Sequence, residues 1–406
     1  MPHALSLCPP NRGKATATCP ERCERFLSCL QNGWDNYTGV LFAALFWFST
    51  TIAMEAQVVA WGGNVSGQTG VPNGLSNVVG LAAATNSMAV TADGRVVVWG
   101  DDPQGTNIIP EGLSNVVALA HGDHALALVE NGHVIAWGPN DFGETDVPYD
   151  LTNAVAVAAG GIHSIALTVE GRIVAWGNNW FGQTNVPDGL SNVVGVAAGL
   201  FHNLAVTVEG RVVAWGNNLG GTTDVPSDAT NVVAIAAGWY FSLALSADGR
   251  VTSWGDYYDG GGMVPMFVPV GLSNVVMIAG GENHALAVTT DAQVVAWGNN
   301  GDGQTSVPSG LSNVVAVAAG HTHSLALVDP DSLTSWRLPK PQPTTNGIAI
   351  ELPTQRGRLY VLEQTLSLND SAWTVMIRIA GDGTLRRLVV PTQGNAQRFY
   401  RARRIP

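Results

Sequence analysis

The sequence predicts an all-β fold: a seven-bladed β-propeller with short three-stranded blades, followed by a small C-terminal β-sandwich-like module. Three observations predict the propeller. Tryptophan recurs at intervals of 38 to 43 residues, Gly-containing dipeptides separate short apolar segments, and those segments are hydrophobic at consecutive positions. A fixed period of 20 to 50 residues is typical of repeat folds, in which each unit completes its core against its neighbours.

Each repeat has the same order of segments. A V-x-x-W-G segment is followed by a Gly/Asn-rich loop that ends in Val-Pro or Ile-Pro, then by an apolar run such as NVVGVAAG, then by an H-x-L-A-L-like run. The tryptophans are Trp61, Trp99, Trp137, Trp176, Trp215, Trp254, Trp297 and Trp336. Three apolar segments per unit predict three short strands.

Hairpin signals join the third run of one unit to the next V-x-x-W-G segment. They are Asp93-Gly94, Asn131-Gly132, Glu170-Gly171, Glu209-Gly210 and Asp248-Gly249. Such dipeptides supply the positive φ that two-residue hairpin turns require, so the three strands are predicted to be antiparallel.

Strands that are apolar at every position must be buried on both faces. Radially stacked propeller blades provide this burial for antiparallel sheets. A solenoid is the alternative, but it needs atypical capping repeats, and the first unit matches the interior ones. The sequence has seven H-x-L-A-L-like runs but eight tryptophan segments, one more than seven blades need. We therefore predict that residues 58–62 complete the last blade and close the ring. Residues 333–336 are the alternative for that place.

The chain is expected to divide into four parts: a signal peptide or N-terminal anchor (1–56), the propeller (57–336), a Pro-rich linker (337–346) and a small β module (347–406). The uncharged apolar run 39–54 is short for a spanning helix and suits the core of a signal peptide. All four cysteines lie before it, without zinc-site spacing. The expected location is secreted, periplasmic or cell-surface, with membrane contact only through an uncleaved N-terminal segment.

The charge distribution argues against nucleic-acid binding. Residues 57–336 contain 23 Asp/Glu, four Arg and no Lys, a net charge of −19. Binding to phosphate backbones depends on Lys and Arg. The acidic charge has two readings, which are solubility of an apolar-rich fold and steering of a basic partner.

Histidine is the recurring titratable side chain outside the turns, at His124, His163, His202, His284 and His323, with Asn86 and Phe241 in its place in two units. Equivalent positions lie around a ring and cannot converge on a metal. We therefore predict a repeated hydrogen bond to loop backbone, and we interpret His121 and His321 as isolated. No hydrolase, metalloprotease or P-loop motif is present, so the sequence predicts no catalytic residues, no metal site and no cofactor.

The pattern V-V-A-W-G / G-Q-T-x-V-P / A-A-G-x-x-H-S-L-A-L resembles the regulator-of-chromosome-condensation repeat superfamily over about 280 residues, and its short blades most resemble the secreted β-lactamase inhibitory protein type II family. That resemblance implies binding of a target enzyme through aromatic and acidic loop residues at one face. The matching positions, in the third to sixth units, are Asp141, Phe142, Trp180, Phe181, Leu200, Phe201, Trp239, Tyr240, Phe241, Tyr257 and Tyr258.

The C-terminal segment alternates apolar and polar residues in five stretches, which predicts half-buried strands. It is similar to modules that end in R-F-Y-R-x-R on exported bacterial proteins, and residues 398–403 read RFYRAR. The sequence as a whole thus predicts an exported, monomeric, non-enzymatic protein that binds a protein partner, with enzyme inhibition as one form of that activity. A carbohydrate-binding envelope or matrix protein is the alternative. An enzyme and a nuclear guanine-nucleotide exchange factor are further readings, and the acidic propeller and export signal argue against the latter.

Overall fold

The computed structural model describes residues 57–101 and 105–328 in full, together with the backbone of strands between residues 342 and 405. Residues 57–328 form seven antiparallel sheets, one per sequence repeat. Six of them consist of three strands, and the fifth carries a fourth strand. Among the described residues there is no helix long and apolar enough to cross a membrane. The predicted signal peptide or anchor lies outside the described residues.

Within each blade the chain runs from an inner to a middle to an outer strand, and the first strands of neighbouring blades contact one another around the axis. The inner strands are Val78–Ala83, Val116–His121, Ala154–Ala159, Val193–Ala198, Val232–Ala237, Val275–Gly280 and Val314–Ala319. The middle strands are Ser87–Thr91, Ala125–Val129, His163–Thr168, His202–Thr207, Phe241–Ser246, His284–Thr289 and His323–Val328. The outer strands of blades one to six are Val96–Trp99, Val134–Trp137, Ile173–Gly177, Val212–Gly216, Val251–Tyr258 and Val294–Gly298.

The outer strand of blade seven comes from the beginning of the propeller. Strand Gln57–Gly62 pairs in antiparallel register with His323–Val328, from Gln57 opposite Val328 to Gly62 opposite His323. The indole Nε1 of Trp61 donates a hydrogen bond to the carbonyl of Gln304 at 2.9 Å. The predicted closure by residues 58–62 is therefore confirmed, while the competing segment 333–336 lies outside the described residues.

The hydrophobic core lies between the blades. Seven clusters of buried residues each combine side chains from two neighbouring blades. One of them joins Trp99 of the first blade to Leu325 and Leu327 of the last. A cluster between first and last blades requires a closed ring, which excludes the solenoid. Middle strands such as His202–Thr207 are buried at every position, as their continuous apolar pattern predicts.

The hairpins between middle and outer strands contain three residues, and the predicted two-residue turns are therefore wrong. In blade one the amide of Thr91 donates to the carbonyl of Arg95, and the amide of Gly94 donates back to Thr91. Gly94 has φ +75°, which is the left-handed residue that three-residue loops require. The carbonyl of Gly94 accepts a hydrogen bond from the amide of Val116 at 3.0 Å. Equivalent bonds connect each of these turns to the inner strand of the next blade.

Blade five departs from the repeat. Its outer strand continues to Tyr258 and pairs with the additional strand Met263–Pro265. This hairpin replaces the loop found between the other blades and accounts for the longest tryptophan interval. In blades one to five and in blade seven the outer-strand indole donates to a loop carbonyl. In blade six, which follows this hairpin, the buried Nε1 of Trp297 has no hydrogen-bond partner. The loop after blade four contains one 3₁₀ turn, Leu219–Gly221.

The C-terminal segment forms two further three-stranded sheets. The first consists of Gln342–Thr344, Gly347–Pro353 and Leu385–Val390, and the second of Leu359–Thr365, Thr374–Ala380 and Phe399–Ile405. The all-β prediction holds for this module. The predicted linker 337–346 differs, because its residues 342–344 already pair with Gly347–Ala349.

Candidate functional site

Ten of the eleven residues predicted to contact a partner lie at one end of the blades. Inner strands end there, middle strands begin there and outer strands end there, so the inner-to-middle loops and the loops that leave the outer strands share this end. We call it the loop face, and the opposite end, with the three-residue turns, the hairpin face. The antiparallel order of the strands brings both sets of predicted loop residues to one side of the propeller.

Polar side chains inside the outer-strand loops hold the aromatic residues outward. The amide of Phe142 donates to Glu144 Oε2 at 2.8 Å, and the amide of Phe181 donates to Gln183 Oε1 at 2.9 Å. The amide of Trp180 donates to Asn178 Oδ1 at 2.8 Å. Glu144, Gln183 and Asn178 are buried. Because these polar groups turn inward to satisfy the backbone, the neighbouring rings project into solvent.

Four of these rings form a continuous patch across blades two to four. Phe142 meets Trp180 edge to face with ring centroids 4.9 Å apart, and Phe181 packs against Phe201 at 5.2 Å. Trp180 keeps 71% of its surface exposed, Phe181 45% and Phe142 39%. We call Phe142, Trp180, Phe181 and Phe201 the aromatic surface. Ring pairs of this kind add about 0.5–1.5 kcal/mol each, so the surface is ordered before any partner arrives.

The other predicted residues lie elsewhere on the loop face. Leu200 and Trp239 line the central axis of the ring, and Tyr240 stands beside Trp239 with ring centroids 6.5 Å apart. Tyr257 packs against the core between blades five and six. Tyr258 is 48% exposed on the extra hairpin of blade five. No ring contact among the described residues joins them to the aromatic surface.

Phe241 is a correction to the predicted surface. Its side chain is fully buried and belongs to the core between blades five and six. It begins a middle strand, where every position is enclosed by the neighbouring sheets. A side chain at this position cannot contact a partner.

Below the loop face the repeated histidines join neighbouring blades. Each Nε2 lies 2.6 to 3.0 Å from a Ser or Asn side chain in the next blade, at the residue that directly follows the histidine-equivalent position. The pairs are His124 to Ser164, His163 to Asn203, His202 to Ser242, His284 to Ser324 and His323 to Ser87. The last of these pairs crosses the ring closure. The predicted bond to loop backbone is thus indirect, since the partner is a side chain.

The direction of this hydrogen bond follows from its neighbours. Ser164 Oγ donates to the carbonyl of Glu144, which also accepts from the indole of Trp176. Because the hydroxyl hydrogen is used there, the Nε2–H of His124 donates to Oγ. Asn203 Oδ1 can only accept, so His163 donates through Nε2 as well. We call each His–Ser/Asn–carbonyl chain a histidine relay.

The two units without histidine confirm this pairing. Phe241 is followed in the next blade by Ala285, and Asn86 is followed by Ala125, so neither has a Ser or Asn side chain at the relay position. Asn86 donates instead to Thr106 Oγ1 at 3.0 Å. Histidine and its acceptor are present together or absent together. The two relay positions lie 39 to 44 residues apart in neighbouring units. The joint presence of histidine at one and of Ser or Asn at the other was a sequence signal that could have revealed the relay.

Burial keeps the relay histidines neutral. It lowers the pKa to about 3 for His124, His202 and His284 and to about 4 for His163 and His323. Neutral, buried histidines that bridge blades are structural groups and are not exposed for acid–base chemistry.

Charge is segregated between the two faces. All the arginines of the described propeller follow hairpin turns on the hairpin face: Arg95, Arg172, Arg211 and Arg250. Arg95, Arg172 and Arg250 pair with exposed acids there, Arg250 with Asp228 at 2.9 Å. The described loop face carries neither Lys nor Arg and retains carboxylates such as Asp141 and Asp123. It therefore presents negative charge around the aromatic surface.

His121 and His321 are not isolated, contrary to the sequence interpretation. Both line a cavity of about 60 Å³ where the inner strands converge on the axis at the loop face, together with Asp123, Trp239 and Glu282. Residues 121 and 321 are far apart in the chain, and ring closure brings them together. Among the described residues, no three His, Cys, Asp or Glu side chains are arranged to hold a metal ion.

Comparisons with known proteins agree with the architecture. The regulator of chromosome condensation (RCC1) repeat model matches residues 154–183, 193–221, 232–260 and 275–304, which are blades three to six with their loops. No curated protein sequence matches the chain.

Solved structures share the fold at low sequence identity. Prp20p from Saccharomyces cerevisiae is 21% identical with a TM-score of 0.57, over 70% of this chain and 93% of Prp20p. Human WBSCR16 is 19% identical with a TM-score of 0.54, over 68% and 99%. The ectodomain of the receptor kinase CR4 from Physcomitrella patens is 21% identical with a TM-score of 0.50, over 70% and 79%. The four matched repeats identify blades three to six as RCC1-type repeats, and the seven-bladed ring shares the propeller fold of these neighbours.

Proposed function

We propose that this chain is an exported, non-enzymatic protein that binds a protein partner through the aromatic surface of its loop face. The observation that carries the proposal is the exposed ring of Trp180, edge to face with Phe142 and beside the pair of Phe181 and Phe201. Trp, Tyr and Phe are enriched at the centres of protein interfaces, where a few buried rings supply most of the affinity.

Pre-ordering of the rings supports this proposal. Immobilising a flexible side chain on binding costs about 0.5–1.5 kcal/mol. The rings of the aromatic surface are already held by one another, and their backbone is held by Glu144 and Gln183. A partner that covers them has less conformational entropy to remove.

The relatives give the class of partner. Prp20p is described by its binding to Gsp1p and histones, and it is also known bound to Kap60. RCC1-like propellers are a protein-binding fold family, and those named partners belong to the relatives. Export rests on the apolar segment 39–54. Inhibition of an enzyme partner is the narrower hypothesis that follows from the resemblance of the short blades to the secreted inhibitor family.

Capture of extracellular proteins by the purified full chain tests the proposal. Trp180→Ala should weaken capture at least thirtyfold, the range of an interface anchor worth about 2 kcal/mol or more. Tyr149→Ala is the matched control, because Tyr149 is 97% exposed and precedes an inner strand at the hairpin face. It should capture the partner as the unmodified chain does.

Stability measurements and a glycan array complete this test. Thermal unfolding of Trp180→Ala should lie close to that of the unmodified chain, since an exposed ring contributes little to the core. Equal capture by Trp180→Ala and the unmodified chain would reject the site. Glycan binding that depends on Trp180, without protein capture, would replace the proposal with the carbohydrate-binding alternative.

A further inference from the structure

The mouth of the central axis on the loop face is built differently from the aromatic surface. The ends of all seven inner strands contribute to its wall, mostly through Ala and Gly. Small side chains leave a cavity of about 60 Å³. Its polar and aromatic members are His121, Asp123, Trp239, Glu282 and His321, which we call the axial cluster.

The carboxylates of the axial cluster come from opposite parts of the chain. His321 lies between them, with Nε2 4.0 Å from Asp123 Oδ1 and Nδ1 4.0 Å from Glu282 Oε2. The ring of Trp239 meets that of His321 edge to face with centroids 5.0 Å apart. Two carboxylates and an indole therefore border one small cavity.

His121 supplies a second, independent feature. Both of its ring nitrogens are closed off from solvent, and neither has a hydrogen-bond partner. Burial holds the pKa of His121 well below its usual value, and the nearby His321, His124 and His323 act in the same direction. A neutral imidazole has one nitrogen with a free lone pair, and a buried acceptor without a donor is costly. One residue of the cavity wall thus carries a buried polar group that the fold leaves unsatisfied.

The carboxyl group of Glu282 is also partly buried at this cavity, and its pKa is shifted. Burial raises its pKa to about 7, the negative charges of Asp123 and Asp302 act in the same direction, and a hydrogen bond from Asn283 opposes them. The remaining titratable neighbours of Glu282 are His321 and Tyr240. No Lys or Arg of the described propeller reaches the loop face to neutralise these acids, because the arginines follow the hairpin turns.

We propose that the axial cluster binds one cationic side chain, Lys or Arg, presented by the protein partner. Asp123 and Glu282 would accept charge-assisted hydrogen bonds from it. The indole of Trp239 provides an aromatic wall of the kind that attracts cations. The inference rests on the proposed function, and it adds that the partner is basic where it meets the axis.

The size and geometry of the cavity fit such a group better than a metal ion. A water molecule needs about 10–15 Å³ of cavity on the same measure, so 60 Å³ holds an ammonium or guanidinium group with part of its stem. The imidazole of His321 stands between the carboxylates, and the described residues provide no set of three metal ligands.

Calorimetric titration of the full chain with Nα-acetyl-lysine methylamide tests the site without the partner. The norleucine analogue, which lacks the charge, is the control ligand. We expect saturable binding of the lysine compound only. Glu282→Gln keeps the shape and the oxygen that accepts from Asn283, and it should weaken binding at least tenfold. Asp150→Asn, which removes an exposed acid before an inner strand at the hairpin face, should change it less than twofold.

The dependence on pH gives a second readout. A cation favours ionised Glu282, whose pKa is raised to about 7, so affinity should rise about tenfold from pH 6 to pH 8. In Glu282→Gln most of this dependence should disappear.

Each outcome bears on one of the two proposals. No saturable binding, equal binding of the norleucine compound, or full affinity in Glu282→Gln would overturn the axial site. Trp180→Ala should bind the lysine compound as well as the unmodified chain does, since Trp180 is not part of the axial cavity. Loss of partner capture in Trp180→Ala with no lysine binding in any variant would leave the proposed function standing and reject this inference alone.

Discussion

Mild acid is predicted to unfold this propeller because of its histidine relays. Burial lowers the pKa of five relay histidines to about 3 or 4, whereas an unfolded histidine titrates near 6.5. Below that value the unfolded chain binds protons that the folded chain cannot. Stability is therefore complete above about pH 7 and is lost progressively as pH falls from 6.5 towards 4.

The size of the effect follows from the number of relays. Each histidine contributes a slope of about 1.4 kcal/mol per pH unit in this window. Five relays together lose about 7 kcal/mol between pH 7.5 and 5.5, against a typical total stability of about 5–15 kcal/mol. His121, whose pKa burial also lowers, adds to this loss, and Glu282, whose pKa is raised to about 7, opposes it. The five relays therefore remain the main source of the change.

Urea unfolding, followed by tryptophan fluorescence at pH 7.5, 6.5 and 5.5, measures this loss. The matched variant is His202→Phe with Ser242→Ala, which copies the natural pair of Phe241 and Ala285. It should remove about one fifth of the pH dependence, about 1.4 kcal/mol at pH 5.5. Ser242→Ala alone should cost about 1–3 kcal/mol at pH 7.5, because it leaves the buried Nε2–H of His202 without an acceptor.

Two results would refute this reasoning. A denaturation midpoint that stays constant from pH 7.5 to 5.5 would mean that the relay histidines titrate alike in both states. The full acid loss in the double variant would mean that other groups cause it.

Three further predictions concern packing and closure of the ring. Ala292 occupies a turn position with φ +61°, where the other turns have glycine, so Ala292→Gly should stabilise the chain by about 0.5–1 kcal/mol in urea unfolding; a loss of stability would contradict this. Trp215→Phe should cost about 1 kcal/mol more than Trp297→Phe, because only the Trp215 indole has a hydrogen-bond partner, and equal losses would refute the role of that bond. Trp61→Ala should cost about 3–5 kcal/mol by opening the closing strand, whereas Val65→Ala, at a position 98% exposed, should stay within about 0.5 kcal/mol.

The propeller fold was predictable because the same pattern of segments recurs in every unit of the sequence. Each unit shows the same three apolar runs and the same tryptophan, and a strand without a polar face must lie between other sheets. The aromatic loop positions were visible for the same reason, since they stand where the Gly/Asn pattern varies. The turn length was missed because an Asp-Gly dipeptide is compatible with both two-residue and three-residue loops.

Contacts between residues far apart in the chain depended on the tertiary structure. Phe241 shares a sequence neighbourhood with the exposed Trp239 and Tyr240, but the start of the middle strand places it inside the core. Sequence context alone does not separate these environments, because the change from loop to enclosed strand occurs within one residue.

The sequence by itself determined the three-stranded blade and the number of blades. The tertiary structure decided which strand closes the ring and which residues meet at its axis. His121 and His321 looked unrelated because 200 positions separate them, and Asp123 and Glu282 are almost as distant in the chain. Periodicity describes contacts between neighbouring units, whereas the axis joins all seven at once, so its chemistry becomes visible only when the ring is closed.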